Sequence, residues 1–325
     1  MNIGLCIRIV GLLLMLFSLG TLPSLVLGWV QEDGTAEVFG QAFAATAMSG
    51  VALSLLTQRV NTELQIRDGF LVTAAFWIVL SLYGSLPFLL SDAIQVSVFD
   101  AVFESVSGLT TTGATVLAGL DALPQSILLY RQLLQWLGGI GIIVLAVAVL
   151  PMLGIGGVQL YRAESTGPAK DSKLTPRITS TAKALFSIYL GLTVACAAAY
   201  YLAGMSVFDA ISHAFSTIAI GGFSTHDASM GYFQSDVILL IACLFMLISA
   251  VNFGLHFVAF SKRNPGIYRF DSETKFFSGV LLISTIVTCI TLVAMGTLSA
   301  DKAIIHGLFQ TCLLYTSPSP RDWMV

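Results

Sequence analysis

The sequence predicts an all-α polytopic membrane protein, built from repeated helix–pore loop–helix units with re-entrant half-helices. Three observations carry that expectation. Hydrophobic residues make up 56% of the 325-residue chain and charged residues only 10%, too few to cover a water-facing surface. About seven apolar stretches are long enough to cross a hydrocarbon core, which takes about 20 helical residues. A polar, glycine-bearing segment occurs twice, each time between two of those stretches.

In chain order, residues 9–31 carry no charge and form the first span. A signal peptide with Arg8 as its basic flank is the competing reading, but the run is long for one and no A-x-A site follows. Glu32 and Asp33 make an acidic turn, residues 38–58 form the second span, and Arg59 and Arg67 flank the next connection. Residues 69–90 are the third, ending at Pro87 and Ser91-Asp92. The uncharged stretch from Gln132 to Tyr161 exceeds one span, and Pro151 with Gly154, Gly156 and Gly157 predicts a helix break near its end. Residues 184–204, 237–261 and 276–297 are the fifth, sixth and seventh spans.

Charge then orients the chain. The connectors after the second, fourth and sixth spans carry two, five and four Lys/Arg residues, whereas 91–124 and 205–235 carry only acids and the histidines His213 and His226. Positive residues mark the cytoplasmic side. The amino terminus is therefore expected inside, and both repeated segments enter from outside. The net charge of −3 gives no indication of nucleic-acid binding; the expected surroundings are a lipid bilayer.

The repeated segments are VFDAVFESVSGLTTTGATV at 98–116 and VFDAISHAFSTIAIGGFST at 207–225. Without gaps, Asp100 falls on Asp209, Glu104 on His213, Ser107 on Ser216 and Gly113 on Gly222. Each acid lies near the start of a short helix, where it suits the free N–H groups and the positive dipole end. The carboxyl end then presents partial negative charge to a cation. Glycine allows the left-handed backbone that turns successive carbonyls toward one axis, and rings of carbonyls can replace a monovalent cation's hydration shell. Non-helical backbone at membrane depth is tolerated only when packed in protein or lining a wet cavity.

FESVSGLTTTGATV, YRQLLQWLGGIGIIVLAVAVLPMLG, YRAESTGP and AFSTIAIGGFSTHDASMGYF resemble the Trk-type potassium transporter membrane subunits, the TrkH/TrkG family, from near residue 1 to about 311. The resemblance implies potassium uptake across the bacterial inner membrane, with K+ as the transported ion and no covalent cofactor. It implies four pore units around one path. By motif, Thr110, Thr111, Thr112 and Gly113 match the first filter strand, and Ala219, Ile220, Gly221 and Gly222 the second. It also implies a homodimer and a cytoplasmic nucleotide-binding (NAD-type) regulatory partner of the TrkA type. The expected organisation is an amino-terminal hairpin at 1–60, pore units at 61–165 and 166–265, and a third begun at 266–311. Ile304–Thr311 then start a third pore helix, but Pro318 and Ser319 stand where Thr112 and Gly113 should recur. Residues 312–325 are accordingly expected to be a non-native tail.

Other features have plainer readings. The glycines of 138–141 and 154–157 lack the strand and amphipathic helix of a dinucleotide fingerprint and fit close helix packing. The five cysteines are widely separated and mostly lie within apolar runs, as packing residues do. Arg131 is read either as an interfacial anchor or as a charge tuning the pore mouth. The alternative function is a polytopic membrane enzyme using Asp100, Glu104, His213 and His226 as acid–base groups.

Overall fold

The computed structural model describes residues 2–58, 66–148, 178–297 and 299–316, and within them every regular element is a helix and none is a strand. Helix α1 (Ile3–Ser18) passes through a 3-10 turn into α2 (Leu22–Gln31), together one span-length element. The chain reverses at Glu32 and Gly34, both with positive φ, and α3 (Ala36–Leu56) returns alongside α1. Gly11 and Gly50 permit that approach. A Cβ on Gly50 would lie 2.6 Å from the Gly11 carbonyl oxygen, and one on Gly11 2.8 Å from that of Gly50.

Helices α4 (Ile66–Gly84) and α5 (Leu86–Leu90) lead to α6 (Val98–Leu109), which at 12 residues is about 18 Å long and too short to span. Helix α7 (Gln125–Ala148) bends at Gly141, whose φ of 37° and ψ of −125° are not helical. The break expected at Pro151 and Gly154–Gly157, and the polar connector after it, lie outside the described residues. Next come α8 (Ile178–Leu202) and a second short helix, α9 (Val207–Ala219). The order long helix, short helix, glycine-bearing loop, long helix thus occurs twice.

The sixth expected span, 237–261, is two helices. α10 (Asp236–Ala250) and α11 (Phe253–Lys262) meet at 88°. Val251 is extended, and the Asn252 side chain accepts from Gly254 N to cap α11. His256 Nε2 donates to the Ile248 carbonyl at 2.8 Å, leaving Nδ1 to accept from the Tyr268 hydroxyl at 2.8 Å. These bonds occupy polar groups freed by the break, which the uninterrupted apolar pattern gave no reason to expect. α12 (Ser272–Ala294) and α13 (Ala300–Thr316) follow. α13 covers the expected Ile304–Thr311 helix and packs on α10 and α12; residues 317–325 lie outside the described residues. By length and apolarity, five described elements can cross a membrane, or six with the bent pair.

Two apolar cores result. One gathers Leu13, Leu14, Phe39, Phe88, Tyr130 and Leu134; the other gathers Ile140, Tyr189, Cys196, Tyr200, Cys243, Phe309 and Cys312. Helix α7 contributes to both. Outward-facing residues are also apolar, with Met48, Leu56, Phe276, Ile283 and Ile290 each more than 60% exposed, as lipid contact requires.

The α2–α3 turn is tied to the start of α7 through Asp33. Its carboxylate accepts from Thr35 N at 3.0 Å, Thr35 Oγ1 at 2.6 Å and Ser126 Oγ at 2.6 Å. Partial burial opposes the charge, but these hydrogen bonds outweigh it and hold the carboxyl below its ordinary range. A depressed carboxylate stabilises the fold above its unfolded pKa and loses that contribution as pH falls through the folded one. Asp33→Asn should therefore lower the melting temperature at neutral pH, by about 1 kcal/mol of stability. The gap from the parent should close as a detergent-solubilised melt is taken below about pH 3.9.

Candidate functional site

Both short helices begin in the same way. Ser97 Oγ accepts from Asp100 N at 3.2 Å while the Asp100 carboxylate accepts from Ser97 N at 3.2 Å, a capping box. Ser206 Oγ accepts from Asp209 N at 3.0 Å and donates to Asp209 Oδ2 at 2.7 Å. The acids thus sit in the first helical turn, with serine as the cap.

Both helices also end in the same way. Thr112 N donates to Ser107 O at 2.9 Å, and Gly221 N to Ser216 O at 2.8 Å, at equivalent positions of the repeat. Thr111 (φ 55°) matches Ile220 (φ 54°), and Gly113 (φ 76°) matches Gly222 (φ 83°). Glycine takes this left-handed region freely; a β-branched threonine or isoleucine does so only under strain. The two loops touch backbone to backbone. A Cβ on Gly113 would collide with the Gly221 carbonyl oxygen and lie 3.4 Å from Gly222 Cα. Thr110–Gly113 and Ala219–Gly222 are thereby brought together.

One face of α7 holds both loops. Arg131, Gln135, Gly138 and Gly139 recur at helical spacing. A side chain on Gly138 would collide with Leu109 O at the end of α6, and one on Gly139 would come 2.8 Å from Ala219 at the end of α9. These two glycines serve close packing, as expected. Gln135 Nε2 donates to Gly221 O at 2.7 Å, and its Oε1 accepts from Phe223 N at 3.1 Å.

Arg131 is not an interfacial anchor. It is fully buried, as is Glu104, to which its Nε donates at 2.8 Å. Nη2 donates to Thr115 Oγ1 at 3.1 Å and Nη1 to Ser224 O at 3.0 Å, and the guanidinium carbon lies 4.3 Å from the centre of the Phe223 ring. Glu104 also accepts from Thr115 Oγ1 at 2.8 Å and Val116 N at 3.1 Å, so both carboxylate oxygens are used. Sequence reasoning missed this pairing because the partners are far apart along the chain. The trace it left was one arginine at the head of an uncharged run and one glutamate in the preceding loop.

In the second copy His213 stands for Glu104 and Ser224 for Thr115. The pair is kept: His213 Nδ1 donates to Asp209 O at 2.9 Å, leaving Nε2 to accept from Ser224 Oγ at 3.0 Å. His213 and His226 stack with ring centres 6.4 Å apart. His226 joins the outer ends of the two loops. Its Nδ1 meets Asp121 Oδ1 and its Nε2 lies 3.2 Å from Asp209 Oδ1, while its ring stacks on Tyr232 at 3.5 Å. Gly119 N donates to Asp227 Oδ1 at 3.0 Å and Asp227 N to Asp121 Oδ2 at 3.3 Å. Bonding to His226 holds the Asp121 carboxyl below its ordinary range. Of the four acid–base candidates, Asp100 caps a helix and Glu104 is bound into the buried pair, while His213 and His226 lie together around Asp209.

Comparison with known proteins adds to this geometry. The TrkH family, described as cation transport protein, matches residues 35–313. The Trk system potassium uptake protein TrkH of Halomonas elongata is 52% identical over 317 residues, covering 98% of this chain and 66% of the relative. The TrkH of Vibrio parahaemolyticus is 54% identical over 325 residues, covering 98% and 67%. The crystal structure of the potassium transporter TrkH from Vibrio parahaemolyticus superposes with a TM-score of 0.85 at 49% identity, covering 99% of this chain and 67% of that one. The chain therefore spans about two thirds of the length of such relatives. With a family match over most of its length, this chain belongs to the TrkH family of cation transport proteins.

Proposed function

We propose that this chain is part of the membrane-embedded subunit of a potassium uptake system of the Trk type. The observation that carries the reading is the repeated loop backbone, left-handed at Thr111 and Ile220 and again at Gly113 and Gly222. Two loops of one conformation, touching at glycines and held by one helix, are what a carbonyl-lined cation path requires of each wall. In this reading Thr110–Gly113 and Ala219–Gly222 are filter strands, α6 and α9 are re-entrant pore helices, and residues 61–165 and 166–265 are two successive pore units. K+ sheds water against their carbonyls.

The enzyme alternative loses its support, because Asp100 and Glu104 are each committed to structural bonds and the family is one of transport proteins. In this reading the chain spans a bacterial inner membrane with its amino terminus on the cytoplasmic side. The assembly is a homodimer served by a cytoplasmic nucleotide-binding subunit of the TrkA type.

In a potassium-uptake-deficient host, with the variants made in the native gene, Gly113→Ser and Gly222→Ser should abolish potassium uptake or its preference over sodium, with protein still in the membrane. Unchanged selectivity in both variants would sink the filter reading. Asp100→Asn should cost only about 1 kcal/mol of helix-cap stability and leave selectivity intact; loss of uptake there with both glycine variants active would favour side-chain chemistry. For orientation, a periplasm-dependent phosphatase reporter inserted at 91–97 should be active and one at 262–275 inactive.

A further inference from the structure

We propose that Arg131 is a positioning residue that sets the separation of the two loops and, through it, the preference for K+ over smaller cations; the proposal rests on the filter reading above. Three arms of one guanidinium reach three segments: Glu104 in the first short helix, Thr115 beyond the first loop, and the Ser224 carbonyl beyond the second. The face of the same group packs on Phe223, which directly follows Gly222. A shift of either loop changes the geometry at this one cation.

Stability alone accounts poorly for the arrangement. Withdrawing two opposite charges from solvent costs about as much as their pairing returns, and well-packed apolar residues of like volume commonly serve as well. What a buried, fully bonded arginine supplies is a fixed, planar set of donor directions that neither lysine nor an apolar residue reproduces.

The repeat offers an internal comparison. At the spacing that relates the two copies, Leu240 occupies the place of Arg131 and Leu244 that of Gln135, and both leucines face outward, 44% and 54% exposed. The second copy binds its own loop through the His213–Ser224 pair and reaches the first copy at the outer ends, through His226 to Asp121 and Asp227 to Gly119. Behind the loops, Arg131 reaches from the first copy to the second. It acts one turn of α7 from Gln135, which bonds the Gly221 carbonyl that faces Gly113. Ion preference depends on how carbonyls are placed and held, so a residue that spans both loops from behind is placed to tune it.

The test compares potassium and sodium uptake in the deficient host, from the native gene, for Arg131→Lys, Arg131→Met, Thr115→Val, Gly113→Ser and Gly222→Ser, with membrane abundance and melting temperature measured alongside. Both Arg131 variants should lower the potassium-to-sodium uptake ratio by about tenfold, lysine failing to rescue because it lacks the fork. A ratio at the parent value in either Arg131 variant, with only the melting temperature lowered, overturns the proposal and leaves Arg131 a structural residue. Should the Arg131 variants fail to reach the membrane, Thr115→Val decides. That near-isosteric change removes the bonds from Thr115 Oγ1 to Arg131 and Glu104 while leaving the Arg131–Glu104 pair itself in place; a lowered ratio supports the proposal and an unchanged one overturns it. If Gly113→Ser and Gly222→Ser keep parental selectivity, the filter reading itself has failed, an outcome separate from failure at Arg131 alone.

Discussion

Non-helical backbone set among apolar helices has no bulk water to satisfy its N–H and C=O groups, and the protein must supply partners. In this chain much of that supply comes from one helix face. Arg131 takes the Ser224 carbonyl, Gln135 takes the Gly221 carbonyl and the Phe223 amide, and Gly138 and Gly139 admit the ends of both short helices. The path of α7 between the two cores follows from that duty. It must stay close to two loops at once, so it is glycine where the ends of the short helices meet it. Tyr130 and Leu134 fill the first core, and Trp136 reaches α8 through a hydrogen bond from Nε1 to Thr193 Oγ1 at 3.0 Å.

The energetic balance at the site favours definition over gross stability. Thr111 and Ile220 in the left-handed region cost about 1–3 kcal/mol each, and such strain persists only where the surroundings over-determine it. Here the over-determination is visible. Each helix is capped at its start by a serine, and the Ser107 and Ser216 carbonyls each accept from a loop amide beyond the helix end. The buried Glu104–Arg131 pair belongs to the same account. Its ions would be costly alone, yet Arg131 Nε, Thr115 Oγ1 and Val116 N between them occupy both carboxylate oxygens.

How far all this could be read from the sequence depends on the range of the interaction. Local features were legible: the apolar runs, the short helices opened by Asp100 and Asp209, and the glycines at 113 and 222, because propensity, capping and left-handed backbone are written within a few residues. The close-packing role of Gly138 and Gly139 was also legible, since charge-free surroundings excluded a phosphate loop. The bend after Val251 was not. Its determinants are an Asn252 cap and a His256 reach back to Ile248, and both residues sit in a run whose hydropathy reads as one helix. For Arg131 the neighbouring residues left two readings open, an interfacial anchor or a charge at the pore mouth. Its true surroundings come from Glu104, Thr115, Phe223 and Ser224, which no local window contains.

The repeat inside the chain separates what the site must keep from what it can vary. Between the copies the supporting group changes while its hydroxyl partner is kept: a carboxylate bonded to Arg131 and Thr115 behind one loop, an imidazole bonded to Ser224 behind the other. The loop residues change as well, from Thr111-Thr112 to Ile220-Gly221. What does not change is the serine-capped start, the amide returned to Ser107 or Ser216, and the two left-handed positions spaced alike. Of the acidic side chains in the first copy, Asp100 recurs as Asp209, in the first turn of each short helix, and Glu104 is replaced by His213. A site whose working parts are backbone carbonyls requires only that the chain take the same path twice. That is the property the two copies share, and it is why the functional reading rests on main-chain geometry, with the side chains of α7 as its support.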